Sequence, residues 1–237
     1  MEINKEEVFS YHLLEFPLGF ALRQLTNPPN ANNTHGLNYS LTLFTMSLGI
    51  PILSMTRYKL NTIALVAWWK NEAALNDFMD NSDLFKNSRS AWNLKMKSYR
   101  RWGSFTEINQ AHLFQNETPP TGPIAALTLA KLKISQTLRF EKWGRPVEKQ
   151  VANHQGQKLA VVAMRPMTTF STFSLWKNEQ EMLNMIHAKQ AQKDGHEHQA
   201  AMKERSRKQF HHEFATLRFK PISESGTYGG RKNILDL

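Results

Sequence analysis

Residues 68–75 read Trp-Trp-Lys-Asn-Glu-Ala-Ala-Leu, and residues 175–182 read Leu-Trp-Lys-Asn-Glu-Gln-Glu-Met. Trp69, Lys70, Asn71 and Glu72 thus recur as Trp176, Lys177, Asn178 and Glu179, at one offset of 107 residues. Solenoid repeats have periods of roughly 20–50 residues, so this spacing indicates a duplicated module instead. A second echo lies downstream. Leu94-Lys95-Met96-Lys97, running to Trp102-Gly103-Ser104-Phe105, matches Leu217-Arg218-Phe219-Lys220, running to Ser225-Gly226-Thr227-Tyr228. The span from the repeated Trp to the repeated Gly is 34 residues in the first copy and 50 in the second. The 16 additional residues fall where His187, His196 and His198 lie, so a site is expected in the second half.

The repeated tetrapeptide has a structural explanation. A Trp ending a strand anchors a core, the following Asn caps a helix, and Glu in the first turn suits the helix dipole. Around it the pattern predicts strands at 8–16, 52–58, 61–69 and 88–99 in the first copy, with helices at 18–25 and from Asn71. Residues 27–38 read as a loop. The second copy predicts strands at 124–134, 158–164, 169–175 and 215–221. Its helices are expected at 135–151, broken near Gly144-Arg145-Pro146, from Asn178, and over 196–212. Each copy is therefore βαββαβ, a ferredoxin-like module. The expected class is α+β: modules 1–115 and 116–237, their bare sheet faces packed together as a dimeric α/β barrel within one chain. The linker is read at Asn116 to Gly122.

Composition narrows the function. Hydrophobic residues make up 41% of 237 residues, with 14 Phe and 6 Trp, which indicates a packed globule. There is no cysteine, which excludes disulfides, thiolate metal sites and cysteine nucleophiles. Met1 to Glu7 has neither a basic nor an apolar leader segment, and residues 41–55 are too short and broken to span a bilayer. A cytoplasmic protein is expected. The net charge of +10 favours an anionic partner. The cations are scattered, with no recognition helix or aromatic RNA-binding signature, so no specific nucleic acid is expected.

Glycine loops for phosphate, nucleophile elbows and dinucleotide fingerprints are missing from the sequence. The histidines remain. His196-Glu197-His198 lacks the third ligand and the spacing of a zinc site. One imidazole suffices for a haem axial ligand. His198 leads a run with Met202, Arg205 and Gln209 at helical spacing. His211-His212 read as packing or surface residues.

The second half carries Thr172-Phe173-Ser174-Leu175-Trp176, then His198, Phe210-His211-His212-Glu213, Leu217-Arg218-Phe219 and Gly226-Thr227-Tyr228-Gly229-Gly230-Arg231. With Ala64-Leu65-Val66-Ala67-Trp68 in the first half, these stretches resemble the spheroidene monooxygenase family. The resemblance implies a duplicated ferredoxin-like fold and haem-dependent oxygenation of carotenoids. Haem enzymes with dimeric α/β barrels, aldoxime dehydratases and chlorite dismutase-like proteins among them, take the proximal histidine from a helix of one half. On that basis His198 is the expected ligand to the iron of haem b, with His187 and His196 as alternatives. Phe170 and Phe173 would wall the pocket. Arg218, or a lysine from Lys203 to Lys208, would pair the propionates. The implied partners are a small apolar substrate, an electron donor, and an anionic membrane surface touched peripherally. The other classes in view are a haem-binding or haem-degrading protein without an external substrate, and a cofactor-free binding module.

Overall fold

The computed structural model describes residues 7–109, 118–166, 169–187 and 196–236. The first module runs β1 (Val8–Glu15), α1 (Leu18–Thr26), β2 (Leu37–Met46), β3 (Tyr58–Trp69), α2 (Glu72–Asn81), α3 (Asp83–Lys86) and β4 (Ser90–Ser104). The second runs β5 (Ile124–Leu132), α4 (Thr137–Ala152), β6 (Gln157–Arg165), β7 (Thr169–Trp176), α5 (Glu179–His187), α6 (Glu197–Arg207) and β8 (His211–Gly226). The strands close into one antiparallel barrel in the order β1-β3-β2-β6-β7-β5-β8-β4. Each module contributes a ferredoxin-like half-sheet, and β2–β6 and β4–β8 form the two seams. The fold is thus the duplicated α+β barrel expected from the repeat. The module boundary read at 115/116 and part of the 116–122 linker lie outside the described residues.

The repeated tetrapeptide does the same work twice. Trp69 pairs with Val8 as Trp176 pairs with Ile124, and both indoles are fully buried. Lys70 N donates to Gly36 O at 2.9 Å, and Lys177 N to Gly156 O at 2.9 Å. Asn71 Oδ1 accepts from Ala74 N, and Asn178 Oδ1 from Glu181 N, each at 2.9 Å, capping α2 and α5. The second echo is also structural. Gly103 and Gly226 both have positive φ, and a Cβ at either would lie about 2 Å from the carbonyl oxygen of Phe214 or Ala91 on the partner strand. Only glycine allows that approach.

Strand alternation divides the core. Phe9, Tyr11, Leu13, Leu94, Met96, Leu127 and Leu217 fill the barrel interior. The opposite face of the first half-sheet packs under its helices through Leu14, Phe16, Leu65, Trp69, Leu75 and Phe78. Three expectations fail locally. The helix expected over 196–212 ends at Arg207, and the last strand already starts at His211. Residues 52–58 are not a strand; Leu37–Met46 takes that place, and Gly49 (φ +71°) and Pro51 lie in the connection to β3, which ends in a 3-10 turn at Met55–Arg57. The helix at 137–152 passes unbroken through Pro146. Tertiary contacts hold it there: Glu148, in the turn after the proline, is bound to Arg57 and Gly49 of the first module.

His12 sits fully buried on the helix side of β1, with Nδ1 2.7 Å from Asn93 Oδ1 and Nε2 2.7 Å from Ser10 Oγ. Burial pushes its pKa down to about 4, partly opposed by the Asn93 hydrogen bond. The folded state therefore binds fewer protons than the unfolded chain, whose histidine titrates near 6.5. Stability should fall as pH drops from about 6.5 through about 4, by on the order of 3 kcal/mol from His12 alone. Urea midpoints at pH 7 and pH 4.5 measure this. His12→Asn should flatten the dependence, and an equal slope in both proteins would count against it.

Candidate functional site

The second module packs differently from the first. Aligned by strand register, Leu14 corresponds to Ala130, His12 to Thr128 and Leu65 to Thr172. Small side chains thus replace large ones on the helix-facing sheet. Helix α4 presents Phe140, Trp143, Val147 and Val151 along one face, yet all four are only half-buried, because the sheet does not reach them. The space between is a cavity of about 400 Å³. Its floor is Ala126, Thr128, Ala130, Thr172 and Ser174, and its roof is α4 with Met182, Met185 and Ile186 of α5 and His198, Ala201, Met202 and Arg205 of α6.

The additional residues of the second copy supply α6. Gln150 of α4 fastens its start: Gln150 Oε1 accepts from His198 N at 2.9 Å, and its Nε2 donates to Met185 O at 2.9 Å. His198 lines the cavity, and burial, then the nearby His187, lowers its pKa. At neutral pH it presents a neutral imidazole, the form that binds metals. His187 ends α5 and His196 precedes α6, and both are exposed. Of the three expected candidates, His198 is the one on the cavity wall. Gln209 lies past the end of α6 and so leaves the helical run.

Phe170 lines the cavity and packs edge-on against Phe140, with ring centroids 4.9 Å apart. Phe173, one step out of phase, borders the floor while its ring stacks on Tyr11 inside the barrel at 3.7 Å. Arg218 reaches the cavity edge, paired with Glu179 and lying over the Trp102 ring at 4.5 Å. His211 packs, as expected, against the rings of Phe140, Phe210 and Phe214, and it also faces the cavity, which was not expected. It starts β8, is 5% exposed, lines the cavity, and its Nε2 has no hydrogen-bond partner among the described residues. Burial, then Arg205 and Lys133, push its pKa down to about 4. Strand alternation after Phe210 would have turned His211 to the other face; the register shift opposite Leu132 and His211 is visible only in the structure. Among the described residues no three His, Asp or Glu side chains are grouped to hold a metal ion.

Fold and cavity together define a class: duplicated ferredoxin-like chains whose sheets close into an intrachain dimeric α/β barrel, here with a hollow second half. The chain is similar in sequence to the spheroidene monooxygenase of Rubrivivax gelatinosus, 29% identical over 173 residues, covering 71% of this chain. This agrees with the resemblance read from the motifs. The chain spans 63% of the length of that relative. No family model matches the chain. Among solved structures, an aldoxime dehydratase in complex with butyraldoxime superposes with a TM-score of 0.58, at 7% identity, over 94% of this chain and 81% of that one. A second aldoxime dehydratase gives 0.56 at 7% identity, over 95% and 85%. At that identity the likeness concerns the fold alone.

The small floor residues make a direct test. Ala130→Leu with Thr172→Leu would copy the filled first module into the second. Thermal midpoint should stay at or above wild type, because the new methyl groups enter empty space, while binding of any ligand to the cavity should be lost. Calorimetry and a haem titration read the two effects separately.

Proposed function

We propose that this chain is a b-type haem protein with monooxygenase-like chemistry on an apolar, carotenoid-like substrate. The cavity of about 400 Å³ with the neutral imidazole of His198 on its wall carries this reading. The residues suit the group. One imidazole serves as an axial ligand, the walls of Trp143, Val147, Met182 and Met185 are apolar, and Arg205 and Arg218 bring cations to the cavity. The sequence similarity to a protein named as a spheroidene monooxygenase supports the activity and the substrate class.

When bound, haem supplies the oxygen chemistry; the protein supplies orientation and a dry site. His198 would hold the iron, its backbone anchored by the Gln150 tie at the start of α6. Phe170 and the aromatic face of α4 would exclude water. Arg218 would reach a propionate only by sharing its guanidinium with Glu179. Oxygen activation needs electrons, hence an electron donor. Leu53, Met55, Ile134 and Leu138, each 67% exposed or more, lie on the β2–β3 connection and the start of α4. Ile52 N donates to Glu141 Oε1 at 3.3 Å, which joins these two segments. Such apolar surface on a basic protein supports peripheral contact with an anionic membrane, where an apolar substrate dissolves. No helix among the described residues is long and apolar enough to cross a membrane.

Haem added to the purified chain should give a Soret band that saturates at one equivalent. With reductant and oxygen, an added carotenoid should gain oxygen. Bleaching of the haem with the carotenoid untouched would mean haem degradation, and no Soret band would leave a cofactor-free binding module.

A further inference from the structure

The cavity is apolar along most of its wall, but one region departs from that character. Arg205 lines it from α6, with its guanidinium carbon 3.7 Å from the centroid of the Phe214 ring. Among the described residues Arg205 has no carboxylate within ion-pair distance. The neighbouring acid, Glu204, is already held by Arg139 at 2.6 Å and Arg207 at 2.7 Å. His211 stands beside the same phenyl ring, centroids 5.1 Å apart, and is 95% buried with an unpartnered Nε2. A buried nitrogen without a partner is costly, and partial burial disfavours the charge of Arg205. An anion placed between them relieves both at once. The other cavity-lining arginine, Arg218, differs in having Glu179 as its partner.

We infer that Arg205 and His211 form a carboxylate-binding end of the cavity, so that its ligand is an apolar molecule bearing a carboxylate. Arg205 lies two helical turns, about 10 Å along the axis, from His198 on the same face of α6. A ligand anchored at Arg205 therefore extends its apolar body past His198. Two kinds of molecule share this chemistry: haem, through its propionates, and a long-chain fatty or polyene acid. The inference rests on the reading of this cavity as the ligand site, and it holds for either ligand.

Four probes separate the cases: haem, haem dimethyl ester, cis-parinaric acid and its methyl ester, each titrated by absorbance or fluorescence into the full chain. At least one free acid should bind wild type about ten-fold or more tighter than its ester, the size of a charge-assisted hydrogen bond. Arg205→Gln and His211→Phe should each lower the affinity of that acid toward the ester's and leave ester affinity unchanged. Arg205→Lys should keep most of the discrimination. Thermal melting confirms that each variant is folded. If parinaric acid shows the pattern and haem does not bind, the carboxylate end stands and the haem reading falls. The inference is overturned if acids and esters bind alike, if the variants weaken both forms equally, or if neither acid binds.

Discussion

His198→Ala should abolish stoichiometric haem binding and the Soret band that accompanies it. The side chain is the imidazole that α6 holds against the cavity, and most of the surrounding wall is carbon, apart from hydroxyls on the floor, the guanidinium ends, His211 and Glu148. With the imidazole gone, affinity should fall by more than the roughly 10–100-fold that loss of an outer-shell partner costs a metal site. His211→Ala should keep the wild-type band position, because the residue lies at the proposed carboxylate end. The measurement is an absorption titration of each variant, with circular dichroism to confirm folding. A wild-type spectrum in His198→Ala would move the ligand elsewhere; His187, close enough to oppose protonation of His198, would be tested next.

Glu148→Ala should destabilise the whole barrel by about 3–5 kcal/mol, the cost of leaving one buried partner of an ion pair uncompensated. Arg57 and Glu148 are 2% and 7% exposed and meet through two hydrogen bonds, at 2.7 and 3.0 Å. Glu148 also accepts from Gly49 N at 2.7 Å. The pair joins the β2–β3 connection of the first module to α4 of the second, at the rim of the cavity. Arg57→Met with Glu148→Leu should recover most of the loss, since a matched apolar pair removes both charges. Urea unfolding of wild type, single and double variants gives the comparison. A Glu148→Ala loss below about 1 kcal/mol would make the pair a solvated contact, against its burial.

The duplication was legible because its signals are local. A Trp ending a strand, an Asn cap and a Gly forced to positive φ are each required by the backbone within a few residues, so both copies retain them. The βαββαβ order followed from hydrophobic periods of 2 and 3.6. The strand at 37–46 was missed because its first residues follow a run rich in Asn, Pro and Gly and read as loop. The break expected at Pro146 failed for another reason. A proline costs a helix about 3 kcal/mol, and here the turn after it is tied by Glu148 to the other module, at Arg57, 91 residues away.

The site divides along the same line. His198 was singled out by its place in the residues that lengthen the second copy and by the resemblance, and the structure puts it on the cavity wall. The order of elements, the closure of two half-sheets into one barrel and the half that carries the additional histidines are all properties of neighbouring residues and of a repeat, and the chain alone determined them. The cavity is different. It exists because Ala130 and Thr172 stand where Leu14 and Leu65 fill the first module, and that correspondence appears only when strand pairing brings β5 and β7 beneath α4 and α6. Among the described residues, the unpartnered Nε2 of His211 and the counter-ion missing from Arg205 are likewise facts about what does not come near. A missing neighbour is decided by packing across elements far apart in the chain, so only the tertiary structure could disclose it.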